Sequence, residues 1–158
     1  MPLDDFQSEV LRLLGEHEQL ISQLYNAYAD NFIEHSGFWC SIAKEEVMHA
    51  EMLRTLRGNI REGDAHFSKN SFPLKGIMFS MESVKKAIAD ARSGNVTPIA
   101  ALALAKDYEN SLIEKDYFKV VEADSDEVKE TMLKLVEDGK RHRAKVETLL
   151  AKVLSERK

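Results

Sequence analysis

Apolar side chains return every three or four residues along four long stretches of this chain. That period admits little besides amphipathic helices packed side by side. In the first stretch, from about Asp5 to Phe32, Phe6, Val10, Leu14, Ile21, Tyr25, Tyr28 and Phe32 recur at spacings of three, four and seven. In the second, from Ser36 to about Leu56, Trp39, Ile42, Glu46, His49, Leu53 and Leu56 share one stripe. The third opens at Thr97-Pro98, a capping hydroxyl followed by proline at the first helical position, and runs to about Val121. The fourth runs from about Asp126 to Leu154 on Val128, Met132, Leu135, Gly139, His142, Val146, Leu149 and Val153. Asp4 or Asp5 is expected to cap the first helix and Ser36 the second. Asp124 with Glu127 forms a capping-box signal for the last.

The breaks between these stretches set the architecture. Ile33 to Gly37 is a short turn, whereas Arg57 to Leu74 reads as a long connection. A shorter helix, about Ser80 to Ala91, follows it and stops at Ser93-Gly94. The expected fold is an all-α four-helix bundle with a long crossover containing one short extra helix. Its parts are a hairpin over 5–57, a crossover over 58–96 and a hairpin over 97–155, in a single domain spanning 1–158.

Composition narrows the function classes. Lys and Arg number 22 against 27 Asp and Glu, a net charge of -5, which argues against nucleic acid as a partner. No apolar run approaches the length of a membrane span, and the acidic start MPLDDFQSEV shows no signal peptide, so a cytoplasmic location is expected. Cys40 is the only cysteine, which excludes an internal disulfide and any cysteine-built metal cluster.

Two polar residues interrupt the apolar stripe of the second helix. Glu46 and His49, three apart, lie on one face and can reach a common ion. Burying a carboxylate is costly unless it is paired or metal-bound. Glu18 shares the stripe of Leu14, Ile21 and Tyr25. In an antiparallel hairpin it stands at the same height as Glu46 and His49, because their midpoint falls at the turn. The second hairpin repeats the pattern. Glu109 lies with Leu102, Ala105 and Leu112, and His142 lies with Leu135 and Val146. Glu109 follows Glu18 by 91 residues and His142 follows His49 by 93, so the two hairpins share one internal arithmetic.

With these residues in place, the chain resembles the rubrerythrin-like branch of the ferritin-like, di-iron carboxylate superfamily. The segments EQLISQLYNAYADNF and FWCSIAKEEVMHAEML look like that family's first hairpin. ALALAKDYENSLIEKDYF and ETMLKLVEDGKRHRAKVETLL look like its second. The resemblance covers roughly residues 8 to 155. It implies two iron ions held by one Glu from each of two helices and a Glu-x-x-His from each of the others. Glu18 and Glu109 would be terminal ligands, Glu46 would bridge, and His49 and His142 would each bind one iron. It further implies reduction of peroxide or dioxygen, a homodimer, and electrons from an external donor protein or the substrate. Rubrerythrins carry a rubredoxin-like domain with paired Cys-x-x-Cys motifs, and this sequence holds none.

One position departs from the family pattern. Gly139 stands where the second Glu-x-x-His needs Glu. Three carboxylates leave two divalent ions one positive charge over, to be met by hydroxide, a bound anion or another carboxylate such as Asp138. Three readings of the site stand: two metals with an altered second half, one metal around Glu18, Glu46 and His49, or a vestigial polar core. Carboxylate and imidazole donors suit iron, manganese or zinc, and iron follows from the resemblance alone. The competing function is a non-enzymatic bundle acting as an interaction or stress-response module, with iron storage as a third option. Tyr25 and Tyr28 read as core, with a role as phenols beside the site as the alternative. Trp39 reads as core and Cys40 as a partly buried, inert thiol. His17, His35 and His66 read as surface, and Lys140 and Arg141 as a solvated face, with a reach toward the vacated ligand position as the alternative.

Overall fold

A computed structural model describes residues 5–64, 74–114 and 125–157, with the side chains of 112–114 outside the description. Five α-helices follow one another: α1 (Asp5–Asn31), α2 (Ser36–Asn59), α3 (Leu74–Arg92), α4 (Pro98–Glu114) and α5 (Asp126–Ser155). A single 3₁₀ turn, Ile33–His35, joins α1 to α2. α1 packs along α2 and α4 along α5, while α2 touches α5 and α3 lies against α1. This is the expected four-helix bundle of two hairpins with a helix in the crossover. No helix among the described residues is long and apolar enough to cross a membrane.

The helix ends follow local chemistry. Thr97 caps α4 as its sequence predicts: Oγ1 accepts from the Ala100 N–H at 3.1 Å and its carbonyl from Ala101 at 3.0 Å. α3 ends in a Schellman arrangement. Asn95 N–H bonds the Asp90 carbonyl and Gly94 N–H bonds that of Ala91, with Gly94 at φ +75°. Other boundaries differ from expectation. Ser36 does not cap α2; it is already helical, and His35 holds the cap position without a side-chain bond, because the 3₁₀ turn runs straight into the helix. The crossover helix is not short: it begins at Leu74, six residues early, because Ile77 and Met81 extend its buried stripe along α1. Asp4, Asp124, His66 and the expected end of α4 at Val121 lie outside the described residues.

The core has two apolar layers with a polar layer between them. One joins Val10, Leu14, Leu53, Leu56, Met132 and Leu135. The other, near the 3₁₀ turn, joins Ile21, Leu24, Tyr25, Tyr28, Trp39, Ile42, Leu102 and Val146. Tyr28 packs edge-on to Trp39 at 4.9 Å between ring centroids, and Tyr25 lies 5.4 Å from the same indole. Trp39 is therefore core, as expected, and Cys40 is partly buried and free. Each long helix passes through the intervening level at a carboxylate or a histidine.

Candidate metal centre

The polar layer holds Glu18 from α1, Glu46 and His49 from α2, Glu109 from α4 and His142 from α5, all buried. Helical spacing delivers each one: these residues continue stripes that are otherwise apolar, so the packing that buries the stripe buries them too. Their ligand atoms gather into two groups. Glu18, Glu46 and His49 each offer an atom within 4.8 Å of the others, and so do Glu46, Glu109 and His142. Glu46 belongs to both. The five positions that the sequence nominates therefore converge at one depth.

Hydrogen bonds show how the carboxylates and imidazoles face one another. Glu46 Oε2 lies 2.8 Å from His49 Nδ1, and Glu46 Oε1 lies 2.7 Å from His142 Nδ1. Glu109 Oε1 is 3.7 Å from that same Nδ1. The two imidazoles stack at 5.6 Å with 29° between planes. The Tyr25 hydroxyl donates to Glu109 Oε1 at 2.7 Å. Tyr25 is thus both a core ring and a partner of the site, which ordinary packing did not predict. Tyr28 is core only; its hydroxyl has no hydrogen-bond partner among the described residues.

Both outer imidazole nitrogens also meet carboxylates, each from the opposite hairpin. His49 Nε2 lies 2.9 Å from Asp138 Oδ2 on α5, and His142 Nε2 lies 2.8 Å from Glu45 Oε2 on α2. Asp138, the candidate for the missing carboxylate, meets the outer nitrogen of His49. Its short side chain belongs to neither ligand group and instead orients His49 from behind. Asp138 and Glu45 occupy equivalent places, each preceding the first position of a x-x-His run. That symmetry is the signal in the sequence by which Glu45 is recognisable.

Arg141 is not a merely solvated charge. It donates from NH1 to Asp138 Oδ1 at 2.8 Å and from NH2 to Glu45 Oε2. Lys134 Nζ reaches Asp138 Oδ2 at 3.1 Å. His17 is also not on the surface: it is buried, with Nε2 2.8 Å from the Ser80 hydroxyl of α3, because the crossover helix covers that side of α1. His35 is half-buried and Lys140 is exposed.

Burial and crowding of charge set the protonation of the layer. Burial, then the neighbouring Glu46 charge, lifts the Glu18 carboxyl well above the usual range. Burial and the Glu109 charge push Glu46 up to about 7 against the bond from His142. Burial disfavours a charged His142, but Glu109 and Glu46 outweigh it and raise the imidazole to about 11. Burial and the Glu109 charge raise Tyr25, so its hydroxyl stays neutral and donates. Asp138 behaves oppositely: burial would raise it, but the bonds from His49, Lys134 and Arg141 hold it at about 2. Without an ion, Glu18 and Glu46 hold their protons more tightly than free carboxyls, and metal would displace them.

The donor set fits divalent metal. Three carboxylates and two imidazoles offer hard and borderline donors, one carboxylate common to both groups, and outer partners that fix the imidazole rings. Fold and site together define a ferritin-like helical bundle with paired metal-ligand clusters between its hairpins. No protein-family model, curated protein or solved structure matches the chain.

Proposed function

We propose that the protein binds two iron ions in its polar layer and reduces peroxide or dioxygen there, as a rubrerythrin-like protein. One ion is held by Glu18, Glu46 and His49 and the other by Glu46, Glu109 and His142, with Glu46 bridging. The observation that carries this reading is the membership of Glu46 in both ligand groups. Each of its oxygens faces a different histidine, the arrangement that lets one carboxylate serve two ions.

Iron, when bound, supplies the electrons and the Lewis acidity for reducing a peroxide or dioxygen bond. The chain's own residues do the rest. Trp39, Tyr25 and Ile42 close one side of the layer and Leu14, Leu53 and Leu135 the other, excluding water from it. Tyr25 aims Glu109 by its hydrogen bond. Asp138 and Glu45 fix both imidazoles with Nδ1 turned inward. Gly139 contributes no carboxylate, so the donor set would be one negative charge short of two divalent ions. Electrons come from a partner protein or from the substrate, and the functional unit is a homodimer.

The test is a metal count. The protein, expressed in iron-supplemented medium and passed through gel filtration, carries two irons per chain and in its ferrous form consumes hydrogen peroxide. Absence of bound iron, manganese and zinc, with stability unchanged by a chelator, overturns the proposal in favour of a bundle that works through its surface.

A further inference from the structure

The two candidate histidines are connected on their outer side by a single cation. Asp138 holds His49, Glu45 holds His142, and the Arg141 guanidinium bonds both of those carboxylates. The connection crosses the hairpins: Asp138 and Arg141 belong to α5, Glu45 to α2. Two lysines also approach, but each touches one carboxylate only. Lys134 reaches Asp138 at 3.1 Å, and Lys145 lies 3.9 Å from Glu45. Among the described residues, Arg141 alone spans the pair.

We infer that Arg141 is a positioning residue that couples the two metal positions, so that filling one orders the histidine of the other. This rests on the two-metal reading above. A planar guanidinium with N–H groups along fixed directions can satisfy two carboxylates at once, which an ammonium point charge does poorly. An ion that draws His49 Nδ1 inward fixes Nε2 against Asp138. Asp138 then fixes NH1 of Arg141, and NH2 of the same rigid group fixes Glu45 and hence His142. The freedom of the long side chain is lost once, with the first ion, and the second finds its imidazole already oriented. Coupling of this kind is reciprocal, so either ion favours the other.

A purely structural role makes a different forecast. The Arg141 side chain is 47% exposed against 8% for Asp138, and His49 and Lys134 still bond Asp138 when the guanidinium is removed, so the pair adds little to folding. Its replacement should leave the urea midpoint nearly unchanged while altering metal binding strongly. Cobalt(II) is the probe, because its visible absorption reports imidazole coordination. In the wild type, two ions bind with the second no weaker than the first. In Arg141→Met both affinities fall, by about 10- to 100-fold, and the coupling disappears. Lys134→Met weakens one ion only. Arg141→Lys recovers little.

Three outcomes overturn the inference while sparing the two-metal reading: unchanged affinities in Arg141→Met, a loss confined to one ion, or full recovery in Arg141→Lys. A wild type that takes up no cobalt, iron or manganese overturns the two-metal reading itself. The positioning role is then decided on the metal-free protein by the ring-nitrogen NMR signals of His49 and His142. Arg141→Met shifts both if the guanidinium positions both; movement of one or neither overturns it.

Discussion

Glu46 divides its two oxygens between the two hairpins: Oε2 faces His49 on its own helix and Oε1 faces His142 on α5. The shared carboxylate makes the two ligand groups one unit, and its loss should differ in kind from the loss of a terminal carboxylate. Glu46→Gln keeps the volume and removes the charge. It should abolish binding of both ions, whereas Glu18→Gln and Glu109→Gln each lose one. Metal per chain after gel filtration distinguishes these cases, and a Glu46→Gln protein retaining one tight ion would refute the shared role.

The protonation pattern fixes how pH acts. His142 is raised from 6.5 to about 11 and Glu46 from 4.5 to about 7. Each raised group binds its proton more tightly in the folded state. The stability it contributes is complete below the unfolded value and fades as pH rises through the folded one. The urea midpoint of the metal-free protein should therefore fall progressively from about pH 4.5, where Glu46 begins to lose its contribution, to about pH 11, where that of His142 is gone. Metal reverses the trend, because it replaces those protons and binds better as pH rises. Uptake in weak buffer at pH 7 should release at least one proton per ion at the His142 position. A pH-independent affinity would contradict the assignment.

Tyr25→Phe removes a hydroxyl and leaves its ring against Trp39. The fold should survive with a loss of about 1 kcal/mol by urea denaturation, the net worth of one hydrogen bond. The ion held with Glu109 should weaken by about 10-fold while the ion at Glu18 is nearly unaffected. Equal weakening of both ions would show that Tyr25 acts through general packing.

Gly15 sits inside α1, where glycine costs about 1 kcal/mol against alanine. A methyl group there would meet the Ala50 carbonyl oxygen and Leu53 Cβ at 3.7 Å each, ordinary contact distances. Gly15→Ala should thus stabilise the protein by about 0.5–1 kcal/mol without disturbing metal binding. A lowered urea midpoint would mean that α1 and α2 need the closer approach.

The fold was legible because helical period and turn chemistry are local properties. The stripes of α1, α2 and α5 identify the buried faces, and Thr97-Pro98 and Ser93-Gly94 mark ends that bear their expected hydrogen bonds. The five inward polar residues were legible for the same reason: a residue on an apolar stripe is buried with it, and equal distance from a turn gives equal height. Local rules served less well where a neighbour from elsewhere in the chain decides the outcome. His17 looks peripheral on α1 alone and is buried because α3 lies over it.

The sequence by itself determined which face of each helix turns inward and which acids and histidines lie on it, because a helix fixes its own faces. Only the tertiary structure decided that Asp138 holds His49, that Glu45 holds His142 and that Arg141 joins them. The contacts that cross between hairpins link residues nearly ninety or more positions apart, from Asp138–His49 at 89 to Glu45–His142 at 97. They depend on how far each helix is rotated against its neighbour and on where long, flexible side chains come to rest. No periodicity within one helix encodes either.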